Sequence, residues 1–382
     1  MEVTPAFTYD PLPVRVVFGV GVARSRLAAE VERLGMRRVL VVASKRDREL
    51  AEELTSPLGG AVVATFTGVR PHVPVEVAEA ARELADRSGA DGVVCIGGGS
   101  ATGTAKAVAL SSGRAVVAVP TTYAGSEVTP VWGTTEGGRK VTGTDPRALP
   151  RTAVYDPVLT TSLPADLSAA SGLNAMAHCI EAFWGPRNNP ITSLAAEEGI
   201  RALAIGLPDV VADGADLAAR SWALYGAHLA GVSFAVAGGG LHHKICHVLG
   251  GAYDLPHAQT HAVLLPYVLD YNAPAVPDVV DRVARALGGG RVVEGNDGVG
   301  ALVHLGRVLG VPRTLREIGL PEGRLDEAAA LVDAQLTPGN PRPVAAGDVR
   351  ALLQAAWDGS ELRIGAGDEN RTRTVSLGSC KN

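Results

Sequence analysis

Cysteine is scarce in this chain. Cys95, Cys179, Cys246 and Cys380 are the four in 382 residues, and none stands in C-x-x-C spacing. That excludes a disulfide framework and a C-x-x-C redox motif, and it fits a reducing cytoplasm. Charge of one sign is also lacking. The net charge is −5 with basic residues scattered, which excludes a nucleic-acid surface or a polybasic membrane patch. No apolar run reaches membrane-spanning length. The opening MEVTPAFTYDPLP has neither a basic n-region nor an apolar h-region, so no signal peptide is expected. There is no internal repeat, and neither the G-x-G-x-x-G nor the P-loop fingerprint is present.

What is present is ordinary soluble composition, 46% hydrophobic and 20% charged, in a chain long enough for two domains. The first part alternates β-branched runs with helical periodicity. Strands are expected at Val14–Phe18, Val39–Ala43, Ala61–Phe66, Gly92–Ile96 and Ala115–Val119, with helices near Arg24–Leu34 and Val75–Asp86. This βαβ rhythm implies a parallel sheet covered by helices, with ligands bound beyond the strand C-termini. After about Asp156 the texture becomes helical, as in Ser193–Ile205, Leu217–Val236 and Asp278–Leu287. The expected division is an α/β dinucleotide-binding domain over 1–158, an all-helical substrate domain over 159–360, and a mobile polar tail over 361–382.

Two strand ends carry the first candidate site. Gly97-Gly98-Gly99-Ser100 follows one strand and opens a helix. Glycines let a backbone approach a phosphate, and Ser100 is a candidate cap for a helix whose free N–H groups favour an anion. The competing reading is a glycine-rich turn without a ligand. The next strand end, PTTYAGSEVT, adds Thr121, Thr122 and Ser126 around Gly125. Lys140 follows in EGGRKVTG, an expected hairpin, within reach of a ribose or phosphate oxygen unless it is a solvated turn lysine. Val39–Ala43 ends in Ser44-Lys45-Arg46 with no acid before Asp47. Acids there select NAD and cations accommodate a 2′-phosphate, so use of both NADH and NADPH is expected. Otherwise Lys45 and Arg46 are solvated helix residues.

Five of the nine histidines fall in GLHHKICHVLGGAYDLPHAQTHA: His242, His243, His247, His257 and His261. His243 and His247 share a helix face, Gly250-Gly251 is the expected end of that helix, and His257 starts the next one after Pro256. Upstream, Asn174 and His178 are four apart with Glu181 a turn further on. Such a density can surround a metal ion or a polar substrate group; the competing reading is packed, hydrogen-bonded core histidines. Cys179 and Cys246 adjoin site histidines, but neighbours on a helix point about 100° apart, so no nucleophilic role is assigned to them.

GGGSATGTAKA, PTTYAGSEVTP, YDPVLTTSLP and HHKICHVLGGAYDLPHAQTHAVLLPY, in this order from about Val14 to Gly359, resemble the iron-containing (group III) alcohol dehydrogenase superfamily, and within it the maleylacetate reductases. The resemblance implies the iron-type alcohol dehydrogenase architecture, also called dehydroquinate synthase-like, commonly as homodimers. It implies reduction of maleylacetate to 3-oxoadipate with NADH or NADPH in aromatic-ring breakdown. Residue by residue, it places Gly97, Gly98, Gly99, Ser100, Thr121, Thr122, Ser126 and Lys140 on the cofactor, joined by Ser44 from the coenzyme argument. His178, His243, His247 and His257 would be the catalytic set facing substrate, with Asn174, Lys244 and Tyr253 as substrate contacts. The general pattern has Asp where this chain has Gly103 and Asn174.

Hydride addition β to the ketone leaves an enolate that needs oxygen stabilisation and a proton. Imidazoles with pKa values near neutrality supply both, and Lys244, Lys140 or a protonated histidine suits the carboxylates. With Asn174 in place of a carboxylate, a divalent ion keeps its full charge in a partly buried cleft. The expectation is therefore no metal ligands and no metal requirement. The alternatives are a reductase of a related enone acid in a biosynthetic pathway and a metal-dependent alcohol or polyol dehydrogenase; a lyase and a non-catalytic binding relative fit less well.

Overall fold

The computed structural model describes residues 6–137, 139–289, 297–336, 338–360 and 362. Strands β1 (Arg15–Phe18), β2 (Val39–Ala43), β3 (Val62–Phe66), β4 (Gly92–Gly97) and β5 (Ala115–Pro120) alternate with helices α1 (Val22–Arg33), α2 (Arg48–Thr55), α3 (Val75–Arg87) and α4 (Gly99–Ser112). A hairpin of β6 (Val131–Glu136) and β7 (Arg139–Thr144) precedes β8 (Thr152–Tyr155). Strands β1, β8, β5, β4, β2 and β3 lie side by side in that order, every pair parallel. The runs VLVVA of β2 and GVVCIG of β4 are buried throughout. Helices cover both faces of the sheet, so alternation is lost and continuous apolar runs remain. The expected parallel α/β sheet is therefore present, with strand ends within a residue of those read from the sequence.

Asp156, in the YDP motif, explains one junction. Its buried carboxylate accepts the N–H groups of Gly21 (3.0 Å) and Ala23 (3.1 Å). This satisfies open donors at the start of α1 from the end of β8, the strand beside β1.

From Ala165 on, the chain is helical: α5 (Ala165–Ala182), α6 (Pro190–Ala212), α7 (Leu217–Ala237), α8 (Leu241–Tyr253), α9 (His257–Asn272), α10 (Pro277–Gly288), α11 (Gly298–Val308), α12 (Leu325–Asp333) and α13 (Asp348–Asp358). Two local expectations are corrected. Helix α8 does not stop at Gly250-Gly251; it runs to Tyr253, and Asp254 ends it in the left-handed region at φ 51°. Ser100 does not cap α4, which begins a residue earlier with Gly98 as N-cap and no side-chain cap. The residues read as a tail, 361–382, lie outside the described set apart from Leu362, as does Cys380; Cys95, Cys179 and Cys246 are free and buried as expected. Among the described residues no single helix is long and apolar enough to cross a membrane.

The helical core is tightened by glycines between α6 and α7. A Cβ on Gly206 would stand 2.6 Å from the Ala223 nitrogen and 2.7 Å from the Ala219 oxygen, both backbone atoms. Backbone cannot step aside as a side-chain tip can. Gly206→Ala should cost about 1–3 kcal/mol in urea unfolding. Gly60→Ala, where a Cβ meets nothing within 4 Å, should stay within about 0.5 kcal/mol. Equal stabilities for the two variants would mean that the α6–α7 contact is looser than described.

Candidate active site

The carboxyl ends of β2, β4 and β5 bring together the residues read as a cofactor site. After β4, Gly97 sits at φ 143° and a Cβ there would lie 2.9 Å from Ala101 and 3.2 Å from Asp47 Oδ2. A Cβ on Gly98 would strike Thr122 at 2.9 Å, and one on Gly99 would approach Ala124 at 3.3 Å. Only glycine lets the two loops nest this closely. The Gly98 carbonyl takes the N–H groups of Ala101 and Thr102. The first amides of α4 precede these at an uncapped helix end, a natural seat for a diphosphate. Thr121 is tied to Gly97 through its N–H (3.2 Å).

Ser126 has a different neighbour from the one expected. The Lys106 ammonium, fully buried in α4, donates to Ser126 Oγ (3.1 Å), Thr129 Oγ1 (2.9 Å) and the Val131 carbonyl (2.8 Å). Burial lowers Lys106 to about 7, opposed by the nearby Glu127. Sequence reading passed over Lys106; its one signal was a cation inside the apolar run GTAKAVAL. Ser44 Oγ donates to Asp47 Oδ2 (2.6 Å), so the acid missing from the strand end returns to it through the first turn of α2. Arg46 turns away and donates to the Ser162 carbonyl (2.8 Å).

The histidine corner is built by α5, α8 and α9. The His178 ring packs against Phe234 (centroids 4.6 Å) and His243 (4.7 Å, stacked), which also meet each other at 4.4 Å. His247 stands 6.0 Å from His243 and stacks over His257 at 6.1 Å, and His257 meets His261 at 4.5 Å. His242 and His261 form a buried pair, Nε2 to Nδ1 at 2.9 Å. Those two fit the reading of hydrogen-bonded core histidines. His242 Nδ1 and His261 Nε2 nevertheless lack partners, and Asn174 Oδ1, His178 Nδ1 and His243 Nε2 are likewise buried without a hydrogen-bond partner, which buried polar atoms rarely are. Glu181, also buried, stands 2.5 Å from His243 Nδ1.

Lys140 is brought to this corner by the β6–β7 hairpin. Its charge acts on His243, His247, His257 and His72, and burial lowers its own pKa. Burial first, then Lys140, pushes His243 down to about 3 and holds His247 and His257 well below the ordinary value. The near-neutral imidazoles expected from the sequence are thus neutral rings with low pKa values in the substrate-free protein. Lys244 is half-buried one position off the His243 face. Tyr253 packs on the helical core near Glu327 and Arg324, and the fold does not bring it into the histidine cluster.

His72 was missed by sequence reading. It and Val73 hold positive φ values, 59° and 52°, a costly state for such residues. Its ring reaches to 6.3 Å from His257. Its only sequence signal was a histidine between Pro71 and Pro74.

The comparisons with known proteins match the whole length of this architecture. A family model described as iron-containing alcohol dehydrogenase matches residues 13–157, and one described as Fe-containing alcohol dehydrogenase family, C-terminal, matches 168–357. Maleylacetate reductase of Sphingobium indicum is 48% identical over 353 residues, 92% of this chain and 98% of that protein. Its counterpart from Burkholderia cepacia is 45% identical over 354 residues, 93% and 98%. The crystal structure of maleylacetate reductase from Agrobacterium tumefaciens superposes with a TM-score of 0.87 at 43% identity, covering 93% of this chain and 99% of that one.

These matches correct the expectation of no metal ligands and no metal requirement. Both models describe an iron-containing family, and the residues fit an ion. Asn174 Oδ1, His178 Nδ1 and His243 Nε2 are unpartnered donors in one corner, with His257 beside them. A second trio, His242, Cys246 and His261, brings ligand atoms within 4.8 Å of one another. Among the described residues only the second brings its ligand atoms that close, and the first set is preferred on donor chemistry. In the second, the two imidazoles already bond each other and burial holds the Cys246 thiol well above its ordinary pKa. The electrostatic argument failed because it counted only Asn174 and left out the Glu181 carboxylate behind His243.

Stability should follow the buried imidazoles. His242 is lowered to about 3 and His228 to about 4 from 6.5, each chiefly by burial. Below 6.5 the unfolded chain binds protons that the folded chain refuses. Stability is thus full above that value and is lost as pH falls toward 4 and 3. Each such histidine removes about 1.4 kcal/mol per pH unit across its window. Urea unfolding of chelator-treated protein should therefore show a steep fall from pH 6.5 to 4.5; a flat profile would show that these rings are not held neutral.

Proposed function

Because the chain belongs to the iron-containing alcohol dehydrogenase family, in the branch of the maleylacetate reductases, we propose that it reduces the enone double bond of maleylacetate to give 3-oxoadipate, with a reduced nicotinamide dinucleotide. The observation that carries this reading is the juxtaposition of an uncapped glycine-loop helix end with a corner of buried and half-buried neutral imidazoles and one half-buried lysine, on a chain similar throughout its length to maleylacetate reductases. The related biosynthetic reductase and the alcohol dehydrogenase are less well supported by relatives of this kind. We place the division of labour near residue 158: the α/β part holds the dinucleotide and the helical part the substrate.

Asn174, His178, His243 and His257 would hold a metal that would supply Lewis acidity, and a reduced dinucleotide, when bound, would supply the hydride. The chain's own groups do the rest. Lys140 presents a cation to a substrate carboxylate from within the cleft, where low dielectric strengthens it. A dicarboxylate brings negative charge beside His247 and His257, which raises their pKa values from the depressed state and draws a proton onto a ring. His247, a turn beyond His243, is placed to give that proton to the enolate. Burial keeps water from competing.

Consumption of NADH with maleylacetate and 2-chloromaleylacetate, against simple alcohols and aldehydes, tests the reading. Turnover of the enone acids is expected; robust oxidation of alcohols with no reduction of maleylacetate would overturn it. His243→Ala and His247→Ala should each lower kcat by about 10²–10⁴-fold, with the circular dichroism of the fold retained.

Coenzyme choice follows from the turn after β2. Both coenzymes are accepted, and NADH is preferred, because Asp47 beside Gly97 is placed to accept a ribose hydroxyl and to repel a 2′-phosphate, while Arg46 is engaged at Ser162. Asp47→Ala should shift the ratio of kcat/KM for NADH over NADPH toward NADPH by about tenfold, or about 1.4 kcal/mol. An unchanged ratio would remove Asp47 from the coenzyme site.

A further inference from the structure

We propose that Glu181 is the positioning residue of this site, fixing His243 in the tautomer that turns the Nε2 lone pair toward the metal and supplying the negative charge that Asn174 does not. The proposal rests on the metal reading above. Glu181 lies in α5 with its side chain fully buried. Its Oε1 accepts the His242 N–H at 2.7 Å. Its Oε2 accepts the N–H groups of Gly240 (2.9 Å) and His243 (3.3 Å) and stands 2.5 Å from His243 Nδ1.

Each contact constrains the next. Helix α8 begins at Leu241 with Gly240 as N-cap and no side-chain cap of its own. A carboxylate from another helix takes that place, at the end where the helix dipole favours negative charge. Glycine at 240 makes room for it, since a Cβ there would lie 2.9 Å from Glu181 Oε1. The backbone N–H groups fix the carboxylate's position before the imidazole meets it. A carboxylate only accepts, so the proton of the ring sits on Nδ1 and the lone pair on Nε2. That Nε2 is the buried atom without a partner. The arrangement is a carboxylate–imidazole pair of the kind that orients a metal ligand and raises its basicity.

Two measurements test this on the full chain. In metal-free, substrate-free protein labelled with ¹⁵N-histidine, the His243 resonances, assigned by their absence in His243→Asn, should show Nδ1 protonated and Nε2 bare. This reading is independent of turnover, so it can fail while the reductase assignment stands, and the reverse. Co²⁺ is the metal probe. Glu181→Gln keeps the shape but removes the charge, and depending on how its amide turns, either the His242 N–H or the Gly240 and His243 N–H groups together with the ring lose their acceptor. Co²⁺ affinity should fall about 10–100-fold in protein that retains its fold. His243 protonated on Nε2 in the wild-type chain would overturn the proposal, and so would a folded Glu181→Gln that binds Co²⁺ as tightly as wild type. Should that variant not fold, the wild-type tautomer still decides.

Discussion

The site depends on a hydroxyl-rich loop held between two buried cations. From the sheet side, Lys106 grips Ser126, Thr129 and Val131. From the helical side, fully buried Arg220 donates to the Tyr123 hydroxyl (3.0 Å), Ser168 Oγ (2.7 Å) and the carbonyls of Leu163 and Gly214 (3.0 Å each). Ser171 Oγ accepts the Tyr123 N–H at 3.1 Å, and a Cβ on Gly231 would stand 2.4 Å from the Gly125 carbonyl oxygen. Burying a charge among neutral oxygens is costly, and removing one of those oxygens leaves the cation worse off. The loop therefore has little freedom. Because it links β5 to α7, the cofactor edge and the histidine corner keep a fixed relation.

The histidine corner shows the converse economy. Its rings are buried with few hydrogen-bond partners, so desolvation dominates their protonation and the cation on Lys140 deepens it. Neutral rings offer lone pairs to an ion and N–H groups to an oxyanion without internal repulsion. A cluster of protonated rings would do neither.

The architecture was legible because periodicity is a local signal. The all-buried runs of β2 and β4, the nearly all-buried β5 and the long helices α6 and α7 lie where the apolar patterns put them. The glycines and the histidines were legible as types. Partnerships made by tertiary packing were not. Glu181 was read as a residue one turn beyond His178; that it caps another helix 59 residues away leaves no mark in either segment. Lys106 and Arg220 look like ordinary helix cations until the fold buries them. Helix α8 outran its expected glycine stop and ends instead at Asp254, which takes the left-handed conformation. The metal expectation failed for the same reason as Glu181: charge was counted along the sequence, where only Asn174 was visible.

The position of that charge bears on the substrate. A carboxylate bound directly to an ion cancels part of its charge at the point of reaction. Set behind an imidazole, as Glu181 is, it stabilises the ligand ring and the helix end while standing one ring further from the centre of the corner. Coulomb energy falls with distance, so the centre keeps more positive potential, and Lys140 adds to it. Such a corner is costly to leave without an anion and favourable once a dianion enters. A neutral alcohol brings no compensating charge, whereas a dicarboxylate brings two, and its enolate develops a third. An amide at position 174 with an acid at 181 thus suits the corner to an anionic enone better than to an alcohol.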